Sequence, residues 1–123
     1  MNKFWQFQAR SDGHGELFLY GDISDMTWYG DEVTPRTFKD DLDSLGDISN
    51  LDIYINSGGG DVFAGQAIYS MLSRYPATKT VYVDGLAASI ASVIAMAGDK
   101  IVMPANSMMM IHNAWTVASG NKD

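Results

Sequence analysis

The fold is decided by the stretch Leu51-Asp52-Ile53-Tyr54-Ile55-Asn56-Ser57-Gly58-Gly59-Gly60-Asp61. Its first five residues are mostly aliphatic or aromatic, which is typical of a strand. Three glycines follow, and apolar side chains then recur at helical spacing in residues 62–75, at Ala64, Ile68, Met71, Leu72 and Tyr75. A strand that leads through a glycine loop into a helix predicts one βα unit of a parallel sheet.

Strands and helices continue to alternate on both sides of this unit. Upstream, the sequence predicts strands over 4–8 and 16–20 joined as a hairpin, then a helix with Thr34 as N-cap and Pro35 at its first position. Downstream it predicts a strand over 80–83, a turn over 85–88, a helix over 89–97, and strands over 100–103 and 108–111. The pattern indicates a single α/β domain over residues 1–123, with a parallel sheet and right-handed crossovers.

The composition is that of a globular protein and argues against several functions. Hydrophobic residues make up 46% of the 123 residues, and there is no cysteine to form a disulfide, a thiolate metal site or a thiol nucleophile. The net charge of −7 argues against nucleic acid as a partner. No apolar run is long enough to span a membrane and the N-terminus has no features of a secretory signal, so we expect a cytoplasmic protein.

The glycine loop is the first candidate site. Gly58, Gly59 and Gly60 place bare backbone N–H groups at a helix N-terminus, where they can hold an anion or an oxyanion. The loop lacks the Gly-Lys-Ser/Thr of a phosphate-binding loop and the spacing of a dinucleotide fingerprint, so no cofactor is expected. The alternative interpretation is a tight turn that needs glycine for its backbone angles.

Two further candidates are Ser89 and His112. Ser89 lies at a strand-to-helix junction among small residues, and its alternative role is that of a helix cap. His112 closes an apolar run, and its alternative role is that of a packed structural histidine. The only other histidine, His14, lies in a glycine-rich turn and is expected to be exposed, so no metal site is predicted.

Together the three candidates have the parts of an acyl-transfer site. In this hypothesis Ser89 attacks a carbonyl carbon and His112 accepts its proton. Backbone N–H groups of the glycine loop and of Ile90 hold the resulting oxyanion.

These stretches resemble the Clp protease proteolytic subunit (ClpP) family of serine peptidases. The matching motifs are residues 54–60 with Ala64-Gly65, then residues 85–92, then Pro104, Asn106-Ser107 and residues 110–113. The resemblance implies a ClpP/crotonase-type fold of repeated β-β-α units, with Ser89 as nucleophile, His112 as general base, and Gly60 and Ile90 as oxyanion donors. It also implies a polypeptide substrate, a homo-oligomeric ring and an ATP-driven unfoldase as a possible partner. Residues 3–5 and 15–23 look most like the phage and prophage branch, whose members process capsid or scaffold proteins in the bacterial host cytoplasm.

Three features depart from the family pattern. Gly58 stands where the family usually has proline, and Asp61 adds an acid beside the oxyanion loop, where it can cap the next helix. The sequence stops eleven residues after His112, before the family's triad aspartate. We therefore expect the C-terminal part of the family domain and its acid to lie outside this chain. The alternatives are a crotonase-type acyl-CoA enzyme, which shares the fold, and an inactive assembly module.

Overall fold

The computed structural model describes residues 3–10, 12–26 and 34–110. His112, the predicted general base, lies outside the described residues. The described part of the chain forms, in order, β1 (Trp5–Ala9), β2 (His14–Tyr20), α1 (Pro35–Asp43), β3 (Asn50–Ser57), α2 (Val62–Arg74), β4 (Thr78–Ala88), α3 (Ile90–Ala95), β5 (Lys100–Val102) and β6 (Met108–Met110).

The strands form one mixed sheet in the order β1-β2-β3-β4-β5. The β1–β2 pair is antiparallel, as the predicted hairpin requires, and every later pair is parallel. Strands β5 and β6 follow one another along the same edge of β4, with β5 against residues 80–82 and β6 against residues 86–88. The predicted α/β fold with a parallel sheet is confirmed.

The alternation of side chains along β2, β3 and β4 divides the sheet into two faces. On one face, side chains of the strands pack against buried side chains of the helices and form a single core. The core residues that are at most 1% exposed include, from the strands, Leu17, Leu19, Ile53, Ile55, Val81 and Val83, and from the helices, Phe38, Ile68, Leu72 and Ile94. On the other face the rings of Phe18, Tyr54 and Tyr82 stack in a row, at centroid distances of 4.8 and 5.0 Å. These three rings define what we call the aromatic face.

Side-chain caps set the beginnings of the two longer helices. The Thr34 hydroxyl accepts a hydrogen bond from the Thr37 N–H at 3.0 Å, with Pro35 at the first helical position as predicted. The Asp61 carboxylate accepts from the Ala64 N–H at 2.7 Å and begins α2 directly after the glycine loop. Asp61, which is one of the departures from the family pattern, is therefore the N-cap of α2.

The predicted turn over residues 85–88 is wrong, because β4 runs through it to Ala88. The pairing of β3 with β4 shifts between Ile55 and Ser57, which leaves extra residues on β4. The Asn56 side chain fills this irregularity by accepting a hydrogen bond from the Leu86 N–H at 3.2 Å, while Gly85 adopts a φ of 123°. After the bulge, β4 continues and Ala87 pairs with Ser57 of β3.

Two other predictions need correction. The helix predicted over 89–97 comprises only Ile90–Ala95, and Ser89 lies outside it. His14 is not in an exposed turn but begins β2, with its side chain one-third exposed and Nδ1 3.6 Å from an Asp52 carboxylate oxygen. His14 pairs with Asn50 of β3 and the Ser89 N–H bonds to Met110 of β6, and neither partner is visible in the local sequence.

Candidate active site

Ser89 connects β4 to α3 through an unusual backbone conformation. Its φ of 56° and ψ of −129° make it the one residue other than glycine with positive φ in the described ranges. Such a conformation costs about 1–3 kcal/mol and is kept only where the surroundings enforce it. Ser89 occupies the N-cap position of α3, but its side chain makes no capping hydrogen bond to the helix, so its hydroxyl is not used as a cap.

Hydrogen bonds hold the backbone of Ser89 on both sides. Its N–H donates to the Met110 carbonyl at 2.8 Å, which joins the junction to β6. Its carbonyl accepts from Ser92 twice, from the N–H at 2.9 Å and from the hydroxyl at 2.5 Å. The serine is thus fixed between the end of a strand and the first turn of a helix.

The glycine loop lies directly against Ser89, thirty positions away in sequence. A Cβ atom built on Gly59 would be 2.8 Å from the Ser89 Cβ and 3.4 Å from its Oγ. Gly59 also has a φ of 103°, so both space and backbone angle require glycine there. The structure therefore brings together two of the three candidates that the sequence predicted separately.

Hydrogen bonds within the loop distinguish its N–H groups from one another. The Gly59 N–H donates to the Ser57 hydroxyl at 3.0 Å, and the Asp61 N–H donates to the Ile23 carbonyl at 2.8 Å. Between them, the Gly60 N–H takes part in no hydrogen bond among the described residues, although Gly60 is held in a bridge to Ile23. Gly60 thus offers a fixed N–H group that is open to a ligand.

Ile90 is the first residue of α3, so its N–H has no partner within the helix. Its side chain is buried against α2, where a Cβ on Gly65 would lie 2.1 Å from the Ile90 Cγ1. Gly65 therefore allows the two helices to approach closely, which places the start of α3 next to the start of α2.

The third candidate, His112, is not described, and the last described residue, Met110, precedes it by two positions. Met110 itself bonds to Ser89, as noted above. Sequence reasoning missed three residues that shape this site: Ile23, Asn56 and Ser92. Asn56 and Ser92 belong to the motifs over residues 54–60 and 85–92, but no local pattern marks the hydrogen bonds that they make.

The described residues contain no cluster of three or more histidine, aspartate or glutamate side chains that could hold a metal ion. None of their helices combines the length and the apolar character that a membrane span requires.

Curated relatives of the chain are proteolytic subunits. It is 40% identical over 83 residues to the ATP-dependent Clp protease proteolytic subunit of Deinococcus radiodurans, a match that covers 65% of this chain and 40% of the relative. It is 45% identical over 91 residues to the protein of the same name from Ligilactobacillus salivarius, covering 72% of this chain and 44% of the relative. The matches therefore span less than half the length of these relatives.

Solved structures and a family model agree with these relatives. A ClpP1 variant from Listeria monocytogenes has a TM-score of 0.65 at 27% identity, covering 85% of this chain and 61% of that one. The ClpP catalytic domain from Plasmodium falciparum has a TM-score of 0.60 at 29% identity, covering 78% and 52%. The family model described as Clp protease matches residues 18–123, which is most of the sequence. The chain accordingly belongs to the Clp protease family.

Proposed function

We propose that this chain is the core of a serine endopeptidase in which Ser89 is the nucleophile. The observation that carries the proposal is the backbone of Ser89, held at a φ of 56° against the glycine loop, with a hydroxyl that makes no capping hydrogen bond. A strained serine at a strand-to-helix junction is typical of a nucleophile that must be presented to a substrate.

The proposed reaction is an acyl transfer in two halves. The Ser89 Oγ attacks the peptide carbonyl carbon while His112 takes the hydroxyl proton, and His112 then returns the proton to the leaving amine. Water hydrolyses the acyl-enzyme by the same route in reverse. The N–H groups of Gly60 and Ile90 hold the oxyanion of each tetrahedral intermediate.

Other parts of the site have supporting roles in this proposal. Gly58 and Gly59 form the loop along which the substrate backbone lies, and the reaction needs no cofactor. The triad acid is proposed to lie outside this chain. Changing the acid alone lowers turnover by about 10⁴ in a related triad, so we expect slow chemistry from the 123 residues by themselves.

The whole protein is proposed to act as a cytoplasmic homo-oligomeric ring on polypeptide substrates. The curated relatives are named as ATP-dependent, which supports assistance by an ATP-driven unfoldase. The resemblance of residues 3–5 and 15–23 to the phage branch supports a narrower role in head maturation, through cleavage of capsid or scaffold proteins. That role does not require an unfoldase.

Labelling with a fluorophosphonate probe, located by mass spectrometry, tests the proposal. In a version of the protein extended by the C-terminal part of the family domain, we expect an adduct on Ser89. In the 123-residue chain the same adduct should form slowly and require long incubation with excess probe. Ser89→Ala should abolish it, and His112→Ala should slow it strongly.

The matched control is Ser107→Ala, because Ser107 lies between β5 and β6 and, among the described residues, its hydrogen bonds go to the Pro104 carbonyl. This variant should label like the wild type. An extended protein whose Ser89 is accessible but unlabelled would refute the peptidase and leave an assembly module. Turnover of an acyl-CoA thioester that survives Ser89→Ala would instead support the crotonase-type alternative.

A further inference from the structure

Ser92 is the one polar residue that α3 buries. It lies three positions after Ser89 and is 1% exposed, while the other buried members of α3 are Ile90, Ala91, Ile94 and Ala95. A buried hydroxyl is unfavourable unless it forms a hydrogen bond. The partner of this hydroxyl therefore indicates why serine rather than alanine occupies the position.

The partner is the Ser89 carbonyl, which accepts from both the Ser92 N–H and the Ser92 hydroxyl. A hydroxyl that bonds to the carbonyl three residues earlier is ordinary inside a helix. Here the acceptor lies outside the helix, in the residue with positive φ. The hydroxyl thus stabilises a strained junction rather than a regular helical turn.

The Ser89 carbonyl belongs to the same peptide group as the Ile90 N–H. The peptide bond is planar and trans, so the N–H points to the side opposite the carbonyl. The two hydrogen bonds from Ser92 fix the orientation of the Ser89 carbonyl, and they therefore also fix the direction of the Ile90 N–H. We propose that Ser92 is a positioning residue whose hydroxyl aims the Ile90 N–H at the oxyanion of the reaction proposed above.

The inference rests on the proposed function, and its first test measures the reactivity of Ser89. The rate of fluorophosphonate labelling is measured for wild type, Ser92→Ala and Ser92→Thr in the version of the protein extended by the C-terminal part of the family domain. Ser92→Ala should slow the covalent step about tenfold, the factor that corresponds to one lost hydrogen bond, with little change in the half-saturating probe concentration. Ser92→Thr keeps the hydroxyl and should restore most of the rate.

The matched control is Ser73→Ala, since Ser73 is an exposed serine on α2. It should leave the labelling rate unchanged. Thermal unfolding of each variant shows whether it is folded at the temperature of labelling. A folded Ser92→Ala variant that labels at the wild-type rate would overturn the positioning role.

A second measurement does not depend on activity. Amide hydrogen exchange should show the N–H of residue 92, which donates to the same Ser89 carbonyl, exchanging about tenfold faster in Ser92→Ala, while amides of β3 keep their wild-type rates. Unchanged exchange of this N–H would overturn the inference even if labelling slowed. If the extended wild-type protein forms no adduct on an accessible Ser89, the proposed function fails, and exchange alone then decides whether Ser92 fixes this peptide group.

Discussion

Gly58 and Gly60 lie in the same loop and have different surroundings. A Cβ on Gly60, whose φ is 148°, would lie 2.1 Å from the Ile23 carbonyl oxygen, whereas a Cβ on Gly58 would meet no atom within 4 Å. Position 60 therefore requires glycine, because any Cβ would collide with the Ile23 backbone. Position 58 has room for a larger side chain. The family's usual proline at the latter position is consistent with this openness.

We expect Gly60→Ala to lower the free energy of unfolding by at least about 2 kcal/mol, because the new methyl group must displace the Ile23 backbone. The variant should also lose labelling of Ser89, since the displaced loop no longer presents its N–H. Gly58→Ala is the comparison for stability and should change the free energy of unfolding little, because its Cβ meets no atom within 4 Å. Denaturant unfolding and probe labelling measure the two effects, and equal behaviour of the two variants would contradict the loop geometry.

Residue types at the site could be predicted from the sequence, but the backbone angles could not. The glycine run and a serine among small residues indicated a donor loop and a nucleophile. The positive φ of Ser89 has no local cause, because serine seldom adopts it without outside constraint. Its causes are the bonds to Met110 and Ser92, one of which comes from a separate strand.

At the scale of elements, Asp61 follows the glycine loop and is the N-cap of α2, which begins at Val62. The carboxylate bonds to the Ala64 N–H and so satisfies one of the donors that the first helical turn leaves free. The cap also fixes the end of the loop that holds Gly60. Stability of the helix and geometry of the candidate oxyanion hole are therefore coupled through one side chain.

Asp61→Ala should lower the free energy of unfolding by about 1 kcal/mol, the usual effect of losing an N-cap acceptor. Asp61→Asn keeps an acceptor oxygen and removes the charge, so it should retain most of the stability. Urea unfolding of both variants measures the difference. If asparagine destabilises as much as alanine, the carboxylate acts through its charge on the helix dipole rather than through the cap.

The sequence predicts helices and strands well where local periodicity determines them. It predicts them poorly where pairing between strands determines them. The start of α1 follows from Thr34 and Pro35, which are visible in the sequence. The extension of β4 to Ala88 follows from its pairing with β3 and β6, and the sequence 85–88 has the small residues of a turn. The bulge at Asn56 allows these small residues to continue the strand, and no local sequence pattern predicts the bulge.

At the scale of the whole molecule, the aromatic face is bordered by a hydrogen bond that links β2 to β4 across β3. The Tyr20 hydroxyl donates to the Asp84 carboxylate at 2.5 Å. This hydrogen bond, together with burial and the charge of Asp84, raises the pKa of Tyr20 to about 12. Two strands that are not neighbours are thus joined on the face opposite the helical core.

This pair predicts how the stability of the fold changes in alkaline solution. Because the pKa of Tyr20 is higher in the folded protein than its ordinary value of 10, folding favours the protonated phenol. The contribution is complete below pH 10 and is lost as the pH rises toward about 12. Tyr20 is 47% exposed, so solvent screens the interaction and the effect should stay below about 1 kcal/mol.

We therefore expect the free energy of unfolding to fall more steeply above pH 10 in the wild type than in Tyr20→Phe, which has no hydroxyl to ionise. Burial also raises the pKa of Tyr54 and Tyr75. The wild type and Tyr20→Phe both keep these two tyrosines, so their contribution cancels in the comparison. Urea unfolding at a series of pH values gives the two curves. Parallel curves above pH 10 would show that the Tyr20–Asp84 hydrogen bond adds nothing to the stability of the molecule.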